Sequence, residues 1–349
     1  MKHFAYFIAV VTLLLASCQD ANVAESKRTQ IGAQPSNPDT VTDQPSSENP
    51  GSSFSDLNDP NDPCGMTSAF NIAPQFSAYI VGGQAARSSD LVTKSTVKVL
   101  LNGGHCTGTL IGPNQILTAA HCFQLEPNSP TDLSVNFLSD PSDVAIGLGV
   151  QGSVAQNLRV ESILPHPRYE GILGNPSTNR YADIVFYDVA LITFSGTLPS
   201  SYRPVVIGDS STEVRAGTSV YVSGYGAYSE NDQTLRPLTS VTTTVDSVNQ
   251  FREIQLSIDA NDPKGACYGD SGGPTYVYSE SLSCLKLVGS TTGPGRLSNY
   301  TCDQGSGTMM DVTSYRGWIK CSLEQMGEPL NYLRNDGSES DCSRNSIIQ

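Results

Sequence analysis

Ser271 lies in the stretch CYGDSGGP (267–274), flanked by Asp270 and by Gly269, Gly272 and Gly273. A serine hydroxyl is a poor nucleophile at neutral pH, and it needs a neighbouring base to take its proton. It also needs donors aimed at the oxyanion that forms on an attacked carbonyl. Glycines allow the backbone to curl so that several N–H groups converge on one point. A Gly-Ser turn is common in itself, so the base has to be found elsewhere. LTAAHC (117–122) offers His121, placed after an apolar strand-like run and before Cys122, which a bridge to nearby Cys106 would pin. YDVALITF (187–194) offers Asp188 at the mouth of a second apolar run. A carboxylate buried there requires a partner, and an imidazole N–H is a suitable one. Taken singly, each of these residues has a commoner structural explanation. Their joint presence points to an activated serine.

The elements that must hold these residues read as strands. The segments 95–101, 107–112, 115–120, 189–194 and 219–226 are rich in β-branched or aromatic residues and are bounded by Gly, Pro or Asn. The segment 312–321 reads as the opening of a C-terminal helix. With 31 Gly, 21 Pro and only 15% charged residues among 349, the composition suits a turn-rich all-β chain, a barrel or sandwich. The net charge of −14 argues against non-specific binding to nucleic acid or anionic membranes.

TAAHC, DVALI and GDSGGP, in the order His, Asp, Ser, resemble the chymotrypsin-like serine proteases. IVGG (80–83), PHPRY (165–169) and GYG (224–226) resemble further segments of that family, and the resemblance spans roughly residues 80–320. It implies two six-stranded antiparallel β-barrels with the active site in the cleft between them, and a C-terminal helix. It implies that Ser271 attacks the scissile carbonyl, that His121 serves as base and then acid, and that Asp188 orients His121. The backbone N–H groups of Gly269 and Ser271 would form the oxyanion hole. Asp183 is a competing acid but lacks the D-[IV]-A-L context. Cleavage between Tyr79 and Ile80 would free an ammonium that pairs with Asp270, so the chain would be made as a zymogen. Protein or peptide substrates are implied, and no cofactor or metal.

Specificity in this family depends on a pocket whose floor lies six residues before the serine, here Gly265. Neither Gly265 nor Ala266 carries charge, so an Arg or Lys head would be buried without a partner. Gly307 reads as a wall position that leaves the pocket open, and Thr292, Gly293 and Pro294 replace the segment that usually edges the cleft. A Cys267–Cys302 bridge would frame the pocket. Cleavage after large apolar or aromatic residues is expected. Elastase-like selection of small aliphatic residues is the alternative, and a non-catalytic cell-surface binding protein on the same fold is a further one. The interval of 67 residues from His121 to Asp188 exceeds the family's usual one and places extra loop length within 127–150 or 171–183.

The N-terminus reads as an export signal over 1–17, with Lys2 before an apolar run from Phe4 to Leu15. LASC resembles a bacterial lipobox that would lipidate Cys18 and tether the chain to a membrane. Gln19, rather than Asp, then points to the outer membrane of a bacterial cell envelope; without lipidation the chain would be secreted. Residues 18–63 read as a disordered linker: positions 19–63 hold eight acidic and two basic residues and almost no large apolar side chain. Such a coil would span roughly 40 Å. Residues 64–79 read as a propeptide and 80–349 as the protease domain with a C-terminal tail. A monomer is expected. Nine cysteines leave eight once Cys18 is set aside, an even number that suits four disulfides. The pairing of Cys64, Cys284, Cys321 and Cys342 stays open, with a Cys64 tether to the domain as one option.

Overall fold

The computed structural model describes residues 84–125, 136–138, 140–169, 174–175, 180–181, 187–209, 212, 214–229, 236–250, 252–257, 259, 261, 263–279, 284–293, 302 and 307–327. Cys18, Cys64, Tyr79, Ile80, Asp183, Pro294 and Cys342 lie outside the described residues, as do the segments 1–17, 18–63 and 64–79.

Two sheets carry the fold, antiparallel except where Val206–Ile207 runs parallel to Lys286–Leu287 of the second. The first contains β1 (Thr96–Leu101), β2 (Gly104–Gly112), β3 (Gln115–Thr118), β4 (Ala145–Leu148), β5 (Arg159–Pro165) and β6 (Ala190–Ser195), in the order β4-β1-β2-β3-β6-β5. The second contains β7 (Ser219–Gly224), β8 (Thr239–Val248), β9 (Glu253–Leu256), β10 (Pro274–Ser279), β11 (Cys284–Gly293) and β12 (Thr308–Asp311). Its order is β8-β7-β10-β11-β12-β9, and β9 also pairs with β8, so this sheet closes into a six-stranded barrel. The first sheet curls but stays open between β4 and β5 among the described residues. The outer edge of β4 is taken by Ser153–Val154, which folds back on Gly147–Leu148.

Each sheet curves around its own apolar filling. Val97, Val99, Leu110, Ile116, Phe123, Ile146, Ala190 and Ile192 fill the first. Val220, Val222, Val241, Val245, Ile254, Leu256, Ala266 and Met309 fill the second. A third cluster includes Leu117, Leu191, Ile207, Leu287, Tyr315 and Trp318 and joins strands of both sheets to the C-terminal helix. Adjacent residues of one strand, such as Leu191 and Ile192, therefore serve different cores, as the alternation of side chains across a strand requires.

The expected strands are present with shifted ends. Strand β3 stops at Thr118, and Ala120–Phe123 forms a single 3-10 turn. Strand β7 stops at Gly224, before the Tyr225-Gly226 turn. At the C-terminus a 3-10 turn over Val312–Tyr315 leads into α1 (Arg316–Gln325), four residues later than the sequence reading. The Asp311 carboxylate explains the delay, because it accepts from the Thr313 amide and hydroxyl and holds a tight turn first. Within 171–183, Gly174–Asn175 pairs antiparallel with Arg180–Tyr181.

Candidate active site

Strand register brings His121 and Asp188 together. Strands β3 and β6 run antiparallel with Ala190 opposite Thr118. The residues just after Thr118 and just before Ala190 therefore emerge at the same end of the sheet. There Asp188, fully buried, accepts two hydrogen bonds from His121. The backbone N–H reaches Oδ1 at 2.8 Å and ring Nδ1 reaches Oδ2 at 2.7 Å. Because a carboxylate only accepts, the proton sits on Nδ1, and in the neutral ring Nε2 keeps its lone pair. Burial of the ring works against its protonation. The Asp188 charge and hydrogen bond outweigh that effect, and the net shift of His121 is upward.

Ser271 reaches the same place from the second sheet. The Ser271 carbonyl accepts from the Thr107 N–H at 2.8 Å, tying it to the residue beside Cys106. Cys106 is bridged to Cys122, next to His121, as the sequence reading anticipated. Gly272, at φ +77°, lies so close to the Thr118–Ala119 segment that a Cβ would stand 2.0 Å from Thr118 Oγ1. Only glycine lets the serine turn approach the histidine turn this closely.

The turn itself is arranged to leave two donors free. Asp270 N–H donates to the Cys267 carbonyl, Gly272 N–H to Thr291 and Gly273 N–H to Asp270. The Gly269 carbonyl, at φ +95°, is drawn away from the cleft by the Thr107 hydroxyl at 2.8 Å. Among the described residues nothing accepts from the N–H groups of Gly269 or Ser271. Two idle amides, one of them the serine's own, are donors of the kind that can receive an oxyanion.

Asp270, the residue between them, is buried. Its oxygens accept from Gly226 N–H at 2.8 Å and Cys267 N–H at 2.9 Å. Gly224 and Gly226 make room for it, since a Cβ at either would fall within 2.5 Å of the carboxyl group. No cation among the described residues pairs with it. Burial therefore pushes its pKa up to about 7, against the pull of the two amides.

The residues named for the pocket fall around the second core. Gly265 and Ala266 are buried, and Ala266 packs in the cluster with Leu256 and Met309. The Cys267–Cys302 bridge is present. At Gly307 a Cβ would meet Met309 Cε at 2.9 Å and Leu256 Cδ1 at 3.0 Å. Gly293 faces open space, and the Thr292 hydroxyl is buried without a hydrogen-bond partner. Cys284 and Cys321 are both disulfide-bonded.

Cys106, His121 and Cys122 bring three potential ligand atoms within 4.8 Å of one another. Both sulfurs are consumed by their bridge, and Nδ1 of His121 is committed to Asp188, so this group does not suit a metal. The sequence reading passed over Thr107, whose hydroxyl and amide fix the carbonyls of Gly269 and Ser271. It also passed over Tyr268, 51% exposed at the head of that turn. Neither residue belongs to a motif, although Tyr268 could have been flagged as a large aromatic between Cys267 and Gly269.

The family model for trypsin matches residues 80–319. The chain belongs to the trypsin family, whose members are serine endopeptidases, hydrolases of peptide bonds. Mannan-binding lectin serine protease 1 of Mus musculus is 31% identical over 62% of this chain and 32% of its own length. The chain thus spans about a third of that relative. Kallikrein-2 of Homo sapiens is 27% identical over 72% of this chain and 92% of its own, and trypsin delta of Drosophila melanogaster is 28% identical over 73% and 92%. Such relatives are typically secreted or extracellular, which is consistent with an exported chain.

Proposed function

We propose that this protein is an exported serine endopeptidase in which Ser271 is the nucleophile, His121 the base and Asp188 its orienting acid. The observation that carries this reading is the doubly hydrogen-bonded His121–Asp188 pair beside a serine turn with two idle amides. His121 would take the Ser271 proton through Nε2, and Asp188 would stabilise the imidazolium that forms. The N–H groups of Gly269 and Ser271 would hold the oxyanion. The complete set favours catalysis over a binding-only role. A fluorophosphonate, which phosphonylates an activated serine with loss of fluoride, should label the processed protein stoichiometrically and leave Ser271→Ala unlabelled. Unlabelled wild type would overturn the reading.

The finer parts of the proposal concern activation, specificity and place. Asp270 is a buried carboxylate in want of a cation, which supports activation by an Ile80 ammonium after a cut at Tyr79–Ile80. The family match begins at Ile80, in keeping with a mature domain that starts there. The uncharged Gly265-Ala266 floor beside Leu256 and Met309 supports cleavage after large apolar or aromatic residues. Such a specificity would let mature enzyme cut its own precursor after Tyr79. The space taken by Met309 and Leu256 beside Gly307 supports the second reading, a slot for smaller aliphatic side chains. The apolar run ending in LASC supports export with lipid attachment at Cys18, giving a monomeric protease tethered to a bacterial outer membrane by a linker over 18–63.

A further inference from the structure

The residue before Asp188 is held in an unusual conformation. Tyr187 has φ +56°, and Arg252 is the only other non-glycine residue with positive φ among the described residues. A bulky aromatic rarely adopts the left-handed region, and such strain persists only where the surroundings over-determine it. Here the surroundings are specific. The Tyr187 ring stacks on the His166 imidazole, with centroids 4.9 Å apart and an interplanar angle of 13°. The Arg168 guanidinium lies 4.4 Å from the Tyr187 ring centroid. Tyr315 meets Tyr187 edge-on at 6.2 Å, and Tyr315 and Trp318 both pack on His166.

The backbone of the same stretch is closed around Asp188. Val189 N–H donates to the Tyr187 carbonyl at 2.7 Å, so Asp188 is the central residue of a three-residue turn. The Val189 carbonyl accepts from His166 N–H at 2.9 Å. His166 therefore grips the turn twice, by its ring before Asp188 and by its amide after it. Its Nδ1 accepts from Arg168 N–H at 3.2 Å, which requires an unprotonated nitrogen, and burial lowers its pKa to about 4. The ring stays neutral throughout the range in which a histidine base works.

We propose that Tyr187 is a positioning residue: its ring, packed on His166 and Arg168, holds the left-handed turn that aims the Asp188 carboxylate at His121. Released to an extended conformation, residue 187 would swing the Asp188 Cα–Cβ bond away from His121, and both hydrogen bonds to His121 would lengthen. The phenol oxygen makes no hydrogen bond among the described residues, so the ring alone is responsible. This inference rests on the protease reading above.

The test compares Tyr187→Gly, which tolerates positive φ but lacks the ring, with Tyr187→Phe, which keeps the ring. Active sites are counted by fluorophosphonate titration and rates are taken per titrated site. Tyr187→Gly is expected to lower kcat roughly 10- to 100-fold with KM nearly unchanged, the loss typical of a misplaced catalytic group. It should also move the acid limb of the kcat–pH profile to lower pH, because a loosened Asp188 raises His121 less. Tyr187→Phe should restore both. If Tyr187→Gly gives no titratable enzyme, Tyr187→Asn, which also tolerates the left-handed region, is measured in its place with the same expectation. A variant with reduced melting temperature but wild-type kcat and acid limb per site would overturn the proposal. Wild type that fails to label would instead overturn the protease reading, so the two failures are separable.

Discussion

Replacing Asp270 by Asn should make the uncut chain more stable at pH 8 and less stable at pH 4. The carboxyl group is buried, accepts only two backbone N–H bonds, and has its pKa raised from 3.8 to about 7. Between those values the folded chain keeps a proton that the unfolded chain has released. The stability this proton confers is therefore full below about pH 4 and lost as pH rises through about 7. A rise of about three units, at about 1.4 kcal/mol per unit, amounts to about 4 kcal/mol. Asn escapes that loss but has one acceptor oxygen for two donors, which strands a buried N–H at about 1–2 kcal/mol. At pH 8 the variant should therefore exceed the parent by about 2–3 kcal/mol, and at pH 4 the parent should lead by about 1–2 kcal/mol. The measurement is urea unfolding of full-length chain carrying Ser271→Ala, which prevents self-cleavage, with and without Asp270→Asn. A parent that is the more stable at both pH values would show that Asp270 already has a cation in the uncut chain. The reasoning about activation would then fail.

Three further outcomes follow from the site. Because Asp188 raises His121, kcat/KM should fall on acidification through a pKa above the ordinary imidazole value of 6.5, with His121 inactive once protonated; a midpoint below 6.5 would contradict the pairing. Gly226→Ala would place a Cβ 2.4 Å from the Asp270 carboxyl and should cut activity by roughly 100-fold or more, checked by titrated-site kinetics; near-normal turnover would mean the carboxyl can move at no cost. Gly265→Asp should introduce cleavage after Arg or Lys and reduce cleavage after Tyr or Phe, read with matched peptide substrates, since a buried charge favours an opposite partner. An unchanged preference would remove Gly265 from the pocket floor.

Much of the site was legible in the sequence because its parts are local. The glycines around Ser271 are required by backbone geometry inside one turn, and Gly269 and Gly272 do take positive φ. Asp188 could be preferred to Asp183 because it alone stands in the D-[IV]-A-L context of the family it resembles, and the run after it is β6. The Cys106–Cys122 bridge was legible from proximity in sequence to the histidine. Strand positions were legible from β-branched runs, while their ends shifted where a side chain imposed a turn, as Asp311 does before the helix.

Other features depend on which strands become neighbours, and no local pattern encodes that. The His121–Asp188 contact spans 67 residues and exists because β3 and β6 pair with Ala190 opposite Thr118. Thr107 became the anchor of the serine turn only when β2 met that turn from the other sheet. Leu256 comes within reach of a Cβ at Gly307 only through the packing of the second barrel. No local pattern marks Tyr187. Its left-handed conformation is set by His166, 21 positions earlier, and by the helix that seats Trp318 behind it. Sequence thus determined the reactive groups and the turns that carry them, because those follow from steric freedom over a few residues. Tertiary structure decided their distances, their charge partners and the shape of the slot, because these are set by register and close packing between distant segments.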